Sequence, residues 1–333
     1  MAEDIAAPAK AEPDWSTITD PAVTSPLAAF HGARPPAPAW FERAIEQRPE
    51  RSTVDVEGAA IELLTWGERG KPGLLFLHGN GAHADWWSFI APFFAKEYRV
   101  AAISWSGMGR SGWRERYTID TFINEALTGA EAAGLFDGKD KPIVVAHSFG
   151  GSIATSLAAK FGGRLKAAVI LDYGARPPEK QWRGPPRRTQ PNRVYSDLPE
   201  ALTRFRLMPP QACPNAFIVD YIAREALHPA PIVDGDEAGE QGWTWRFDPF
   251  IWSKMDLSGV WESGDAIARA QCRLAFVWGD QSKIMTQDVI DYSRSHAAFG
   301  TPFVEIPESE HHVLLDQPLA LVSTLRALFV AWP

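Results

Sequence analysis

Residues 142–151 read PIVVAHSFGG and give the strongest indication of the fold of this chain. The first five are continuously apolar, which is typical of a strand covered on both faces in a parallel sheet. The residues that follow the serine, up to Phe161, predict a helix. Between strand and helix, the small-x-Ser-x-Gly spacing around Ser148 permits a sharp, strained turn that holds the hydroxyl above the sheet. A second interpretation stays open, in which Ser148 only caps the start of the helix.

Further apolar runs alternate with helical stretches on both sides of this turn. Such alternation predicts right-handed crossovers in a parallel sheet. An antiparallel hairpin precedes them at 53–56 and 60–64, with Glu57-Gly58 at its turn. The predicted core strands are 73–77, 100–103, 142–146, 167–171, 273–278 and 302–306, and the predicted core helices are 119–133, 151–161 and 319–331.

Residues 175–264 break this alternation. They begin with a stretch dense in proline and arginine, and then predict helices at 199–207 and 214–227. The simplest interpretation is one α/β core interrupted by an inserted, mainly helical cap. The predicted division is a flexible N-terminal tail at 1–38, the core at 39–174 and 265–333, the cap at 175–264, and a short helix at 40–47 that docks the tail.

Composition narrows the class of protein. The chain has 333 residues and a formal net charge of −8, and this acidic balance argues against a nucleic-acid partner. Cys213 and Cys272 are too few for a disulfide framework or a zinc cluster, so we expect them to be buried thiols in a reducing compartment. No apolar run reaches the ~18 residues of a membrane span, and the N-terminus lacks a secretion signal. We therefore expect a cytoplasmic monomer or homodimer with no membrane partner.

The loop His78-Gly79-Asn80-Gly81 follows the first core strand. A glycine-rich turn at this place can direct a backbone N–H at the oxygen of a tetrahedral intermediate. We predict the N–H of Asn80 as the first donor and the N–H of Phe149, directly after the serine, as the second. We expect His78 to brace the loop rather than to react, and His83 to serve as a hydrogen-bonding group of the loop.

The segments quoted so far, together with those after the last core strand, resemble the α/β-hydrolase superfamily. In that superfamily the histidine base precedes an acidic-x-Pro segment by five residues. Residues 316–318 read Asp-Gln-Pro, so the resemblance implies His311 as the base, with His312 as the alternative. Residues 104–112 are similar to the superfamily's Asp-x-x-Gly-x-Gly-x-Ser turn, with Ser104 in place of the usual aspartate.

The acid that would orient the base has two candidates. In the common superfamily pattern it follows a late strand as Gly-x-x-Asp, but here that position is Ser282, and Asp280 is two residues out of register. Asp172 follows the strand 167–171, and the chain resembles haloalkane dehalogenases in placing an acid there. We favour Asp172 over Asp280, and the other interpretation of Asp172 is a polar residue at the end of the core strand.

A serine nucleophile implies acyl transfer rather than attack on sp3 carbon. The sequence therefore predicts a serine hydrolase of the α/β-hydrolase fold that cleaves a carboxylic ester or lactone of a small organic molecule, without cofactor or metal. Its predicted site comprises Ser148, Asp172 and His311 as catalytic residues, with Asn80 and Phe149 at the oxyanion hole. The alternatives are a C–C hydrolase, a perhydrolase or a cofactor-free dioxygenase of the same fold, and a non-catalytic ligand receptor.

The predicted cap is rich in arginine and tryptophan. The arginines can steer a carboxylated substrate, but a solvated basic surface explains them equally simply. The tryptophans either line the pocket or hold the cap down. These residues are Arg176, Arg183, Arg187, Arg188, Arg193, Arg204, Arg206, Trp243, Trp245, Trp252 and Trp261.

Overall fold

The computed structural model of the chain describes residues 17–180, 188–233, 238–256 and 263–332. The first 16 residues of the predicted tail lie outside this part, as do Arg183, Arg187 and Trp261. Among the described residues, no helix is both long enough and apolar enough to cross a membrane.

An eight-stranded sheet forms the centre of the molecule. Its strands are β1 Glu50–Val56, β2 Ala59–Trp66, β3 Gly73–Leu77, β4 Arg99–Ile103, β5 Ile143–His147, β6 Ala167–Leu171, β7 Arg273–Gly279 and β8 Phe303–Ile306. Their spatial order is β1-β2-β4-β3-β5-β6-β7-β8. The first two strands pair antiparallel, β2 runs antiparallel to β4, and the pairs from β4 onward are parallel. This arrangement confirms the predicted α/β-hydrolase fold with a mostly parallel sheet.

The four strands from β3 to β6 are buried at every position. Successive side chains point to opposite faces, so each strand supplies two apolar layers. In β3, for example, Leu74 and Phe76 pack into one cluster, while Leu75 and Leu77 pack into the other. The continuous apolar runs of the sequence thus reflect helices covering both faces of the sheet.

The hairpin between β1 and β2 turns at the predicted dipeptide. Glu57 and Gly58 have φ angles of 50° and 80°, as a two-residue hairpin turn of type I′ requires. The strands extend further than predicted on both sides.

The core helices close to the predicted bounds are Ile119–Ala132, Phe149–Phe161 and Pro318–Ala331. Thr118 caps the first of these, because its hydroxyl accepts a hydrogen bond from the N–H of Thr121. The sequence prediction did not include a helix at Gln287–His296, a polar segment with few buried residues. Short helices at Ser263–Ala268 and Val313–Asp316 complete this part of the chain.

We call residues 175–264, between β6 and β7, the insertion. Its described helices, Leu198–Thr203 and Ala216–Glu225, are both shorter than predicted. It also contains an antiparallel pair, Leu227–Pro231 with Gln241–Trp245, that the sequence did not predict, because prolines and a long connection obscure the strand pattern. That the insertion acts as a separate cap stays a prediction.

Residues 17–38, within the predicted tail, carry local structure and contacts that the sequence did not predict. A short helix occupies Pro21–Thr24, with the Asp20 side chain accepting from the N–H of Ala22. Leu27 is buried in an apolar cluster formed with the insertion, and the carbonyl of Gly32 accepts a hydrogen bond from Arg224. The alanine- and proline-rich composition concealed these anchoring contacts. The next helix, Ala39–Glu46, lies one residue from its predicted bounds.

The turn at 104–112 keeps its shape without the usual aspartate because a carboxylate reaches it from β2. The Ser104 hydroxyl donates to Glu62 Oε2 over 2.6 Å, and the N–H of Arg110 donates to the same oxygen over 3.1 Å. Glu62 is buried and forms an ion pair with Arg51, which compensates for removing the carboxylate from water. Glu62 and Ser104 together therefore hold this turn through these hydrogen bonds.

Candidate active site

Ser148 lies at the tight turn between β5 and the helix Phe149–Phe161. Its φ of 53° and ψ of −118° are strained for a residue with a side chain. Close backbone packing explains the glycines around it: a Cβ on Gly150 would lie 2.6 Å from the carbonyl oxygen of His78, and one on Gly79 would lie 3.1 Å from Ser148 Cβ. Among the described residues, the Ser148 side chain bonds no helix backbone group, so the simple N-cap interpretation is wrong.

The Ser148 hydroxyl instead contacts His311, on the loop after β8. Ser148 Oγ lies 2.9 Å from His311 Nε2, and His311 Nδ1 lies 2.7 Å from Asp172 Oδ1. Because the carboxylate only accepts, Nδ1 carries the proton and Nε2 is free to accept the serine proton. The imidazole is 4% exposed and Asp172 is fully buried, so this pair is shielded from water. The structure brings together all three predicted catalytic side chains in one hydrogen-bonded chain.

Asp172 follows β6 in a left-handed backbone conformation, with φ of 46°. Its Oδ2 accepts from the N–H of Gly279 over 3.1 Å, and its Oδ1 accepts from the Ser282 hydroxyl over 2.7 Å. Ser282 occupies the position where the common superfamily pattern has its acid. Here that position donates a hydrogen bond to the acid of the neighbouring strand.

The rival acid, Asp280, points elsewhere. It is exposed, and its Oδ1 accepts from the backbone N–H of Ser309 over 3.1 Å. We call residues 307–316 the histidine loop; they include the short helix Val313–Asp316. Asp280 stabilises the start of this loop, and of the two candidates it is Asp172 that bonds to His311.

The rival base, His312, is buried against the insertion. The backbone of Met208 and Pro209 faces its ring, and Trp86 packs at a centroid distance of 5.5 Å. Burial, together with the neighbouring His311, lowers the pKa of His312 well below its ordinary value, so the ring stays neutral. This position favours a packing role, and His311 is the histidine that reaches the serine.

His147, the residue before the serine, donates from Nε2 to the carbonyl of His311 over 2.9 Å. Ring nitrogens of His147, His311 and His312 lie within 4.8 Å of one another. Both ring nitrogens of His311 are already bonded to Ser148 and Asp172, and a shared metal ion would have to break those bonds. His311 could therefore join a metal site only by leaving Ser148 or Asp172.

The loop at 78–81 is braced as the sequence predicted. The Nδ1–H of His78 donates to the carbonyl of Gly79 over 2.7 Å, and its Nε2 accepts from the N–H of Trp105 over 3.0 Å. Burial lowers the pKa of His78 to about 3, so the ring is neutral and serves in both roles. The brace holds the loop backbone against the serine turn.

The two predicted oxyanion donors belong to the loop at 78–81 and to the residue after the serine. Asn80 follows Gly79, on which a Cβ would lie 3.1 Å from Ser148 Cβ, and Phe149 opens the helix, where N–H groups of the first turn have no intrahelical acceptor. Their assignment as donors stays a prediction. His83 donates from Nε2 to the carbonyl of Ile222 in the insertion over 3.0 Å, a bonding role like the one predicted.

The described arginines of the insertion include four that are exposed at the surface, and Arg193 is paired with Glu200. Their exposure favours the solvated-surface interpretation. Trp243 and Trp245 pack within the apolar cluster of the insertion, whereas Trp252 lies 6.0 Å from the Phe149 ring, beside the serine turn. The exposed arginines are Arg188, Arg193, Arg204 and Arg206.

Two site-related residues escaped the sequence prediction. Gln211 and Asn215, in the insertion, donate hydrogen bonds to the loop that carries His311. A lone amide side chain in an irregular segment carries no local signal of such a contact, so only the assembled fold exposes it.

The chain also has recognisable relatives. Esterase Rv0045c from Mycobacterium tuberculosis is 26% identical over 295 residues, covering 86% of this chain and 92% of that protein. Lipase LipV from the same organism is 37% identical over 113 residues, covering 34% of this chain and 41% of that protein.

Solved structures share the fold. The thioesterase domain from the curacin biosynthetic pathway has a TM-score of 0.67 at 20% identity, covering 84% of this chain and 99% of that one. The crystal structure of esterase Rv0045c has a TM-score of 0.61 at 19% identity, covering 91% and 96%. A sequence model described as the Alpha/beta hydrolase family matches residues 74–324, most of the chain. The chain therefore belongs to the alpha/beta hydrolase family.

Proposed function

We propose that the chain is a serine hydrolase that cleaves a carboxylic ester or lactone of a small organic molecule through an acyl-enzyme. The observation that carries the proposal is the hydrogen-bonded chain from Ser148 through His311 to Asp172, which has the connectivity of an acyl-transfer triad. The esterase and lipase relatives support ester cleavage as the reaction class.

In the first half-reaction, Ser148 Oγ attacks the carbonyl carbon while His311 Nε2 takes its proton. Asp172 holds the imidazole in the tautomer that can accept this proton and stabilises the imidazolium that forms. The N–H groups of Asn80 and Phe149 bind the oxyanion of the tetrahedral intermediate. As the intermediate collapses, His311 returns the proton to the departing alcohol and the acyl group stays on Ser148.

In the second half-reaction, His311 takes a proton from water, and the resulting hydroxide attacks the acyl carbon. The second tetrahedral intermediate collapses, the carboxylic acid leaves, and Ser148 regains its proton from His311. For a lactone, the departing alcohol and the acid belong to the same product molecule.

The test compares wild type with Ser148→Ala on short p-nitrophenyl esters. We expect kcat to fall by on the order of 10³-fold or more, because the nucleophile is lost while binding groups remain. Ser323→Ala is the matched control, because Ser323 is exposed on the last helix and, within the described part of the chain, its hydroxyl bonds to the carbonyl of Leu319 one turn earlier. A fluorophosphonate should label wild type at Ser148 and should not label Ser148→Ala.

Full ester turnover by Ser148→Ala, or a wild type that the fluorophosphonate does not label, would refute the proposal.

The dioxygenase alternative is favoured by one relative. A 2-heptyl-3-hydroxy-4-quinolone dioxygenase from Rhodococcus erythropolis is 35% identical over 127 residues, 35% of this chain. Oxygen uptake with that dioxygenase's quinolone, in the absence of ester turnover, would favour the dioxygenase alternative.

A further inference from the structure

We propose that Gln211 is a positioning residue for His311, through which the insertion sets the alignment of the base. The inference rests on the proposed role of His311 in ester cleavage. It goes beyond that role by making the alignment of the base depend on a segment outside the α/β core.

The Gln211 side chain uses both ends of its amide on the histidine loop. Its Nε2 donates to the two carboxylate oxygens of Asp316 over 2.9 and 3.1 Å, and its Oε1 accepts from the backbone N–H of His312 over 3.0 Å. Gln211 is 3% exposed, so water competes little for these bonds. An amide has both a donor and an acceptor, which neither a carboxylate nor an alkyl side chain provides.

These bonds hold the backbone of the residues immediately before and after His311. On the N-terminal side, Asp316 Oδ2 accepts from the N–H of Glu310 over 2.9 Å and lies 3.4 Å from the Ser309 hydroxyl. Gln211 therefore reaches the residue before the base through Asp316. On the C-terminal side, it bonds directly to the residue after the base.

A second amide from the same connection secures the far end of the loop. Asn215 Nδ2 donates to the carbonyl of Leu315 over 2.7 Å and to the carbonyl of Asp316 over 3.1 Å. Gln211 and Asn215 lie between the two described helices of the insertion. The connection between those helices is therefore hydrogen-bonded to His312 at one end of this turn and to Leu315 and Asp316 at the other.

The consequence for catalysis comes from the geometry of proton transfer. His311 Nε2 must stay within hydrogen-bond reach of Ser148 Oγ while Nδ1 stays on Asp172. A misplacement of about 1 Å at a reacting group can lower the rate by on the order of 100-fold. Releasing the backbone on both sides of His311 should therefore lower kcat and leave substrate contacts elsewhere unchanged.

Asn192 offers a matched control within the insertion. Its Nδ2 donates to the carbonyls of Trp245 and Phe247 over 3.2 and 2.7 Å, and its Oδ1 accepts from Arg188 over 3.0 Å. Like Gln211, it is an amide with two donor bonds and one acceptor bond. Among the described residues, its hydrogen-bond partners belong to the insertion and not to the histidine loop.

The experiment measures kcat, KM and the melting temperature of Gln211→Ala and Asn192→Ala on a p-nitrophenyl ester. We expect kcat of Gln211→Ala to fall on the order of 10- to 100-fold, with KM changed less than about twofold. We expect Asn192→Ala to keep kcat within about twofold, whatever its loss in melting temperature. Unchanged kcat in Gln211→Ala, or equal loss in both variants, overturns the inference.

A charge swap separates positioning from folding even where Gln211→Ala folds poorly. Gln211→Glu places a second carboxylate against Asp316 and should lose more activity than Gln211→Ala. Adding Asp316→Asn reverses the donor and the acceptor: the new amide donates to the carboxylate at position 211, which still accepts from the N–H of His312. The double variant should recover most of the kcat lost by Gln211→Glu, and absence of any recovery counts against the inference.

The labelling experiment keeps the two proposals distinguishable. A wild type that a fluorophosphonate does not label at Ser148 removes the proposed function and this inference together. A labelled, active wild type whose kcat is unaffected by Gln211→Ala overturns the inference alone.

Discussion

The choice of acid can be tested by replacing one carboxylate oxygen. Asp172 Oδ1 accepts from His311 Nδ1 and from the Ser282 hydroxyl, while Oδ2 accepts from the N–H of Gly279. An asparagine at 172 has only one oxygen for these three donors. If its oxygen faces His311, its NH₂ group meets the N–H of Gly279, and two donors oppose each other in a fully buried site.

If the asparagine turns the other way, its NH₂ group faces His311 Nδ1. That nitrogen must then accept, so the proton moves to Nε2, and the imidazole cannot take the proton of Ser148. The opposed donors disfavour the first orientation, and the second orientation disables the base. The equivalent change in the triad of a serine protease lowers kcat by about 10⁴-fold, and we expect a loss of roughly 10³- to 10⁴-fold here, or about 4–5.5 kcal/mol of barrier.

The assay is steady-state hydrolysis of a p-nitrophenyl ester by Asp172→Asn and Asp280→Asn. Asp280→Asn is the matched control, because its side chain is exposed and an amide oxygen can still accept from the N–H of Ser309. We expect it to keep kcat within about twofold. A loss of several orders of magnitude in Asp280→Asn, with Asp172→Asn close to wild type, would refute the reasoning.

Three further predictions address the surroundings of the site. Ser282→Ala removes one of the two hydrogen bonds to Asp172 Oδ1. Because a hydrogen bond to a charged group contributes about 1.5–3 kcal/mol, kcat in the ester assay should fall roughly 10-fold. An unchanged kcat would show that the bond is dispensable. Gly79→Ala places a Cβ 3.1 Å from Ser148 Cβ. The rate of fluorophosphonate labelling should therefore fall, while the melting temperature changes little. Labelling at the wild-type rate would contradict the proposed crowding of Ser148. Burial raises the pKa of Asp316 from 3.8 to about 6, so the stability that its protonated form contributes is fully present below pH 3.8 and is lost as the pH rises through 6. The free energy of unfolding of wild type relative to Asp316→Asn should therefore fall by up to about 3 kcal/mol between about pH 4 and pH 7 in denaturant titrations, and a constant difference would be inconsistent with this raised pKa.

Contiguous features of the sequence proved the most predictive. The buried strands from β3 to β6 appear as apolar runs because each is covered on both faces. The turn at Ser148 is recognisable because its close packing admits only small residues at fixed spacing. The contacts of Leu27 were not predicted, because its apolar partners belong to the insertion and are far from it in the sequence.

The α/β-hydrolase fold, the serine turn and the loop with the two histidines could be predicted from the sequence alone, because strand burial and turn sterics depend on neighbouring residues. The sequence left open which of two aspartates orients the base and which of two histidines is that base. The packed fold shows which of these residues meet. The parallel register of β6 and β7 and the positive φ of Asp172 place that carboxylate, and not Asp280, on His311. Contacts of this kind join residues more than 100 positions apart, and their geometry is set by how strands and insertion pack together rather than by any local pattern.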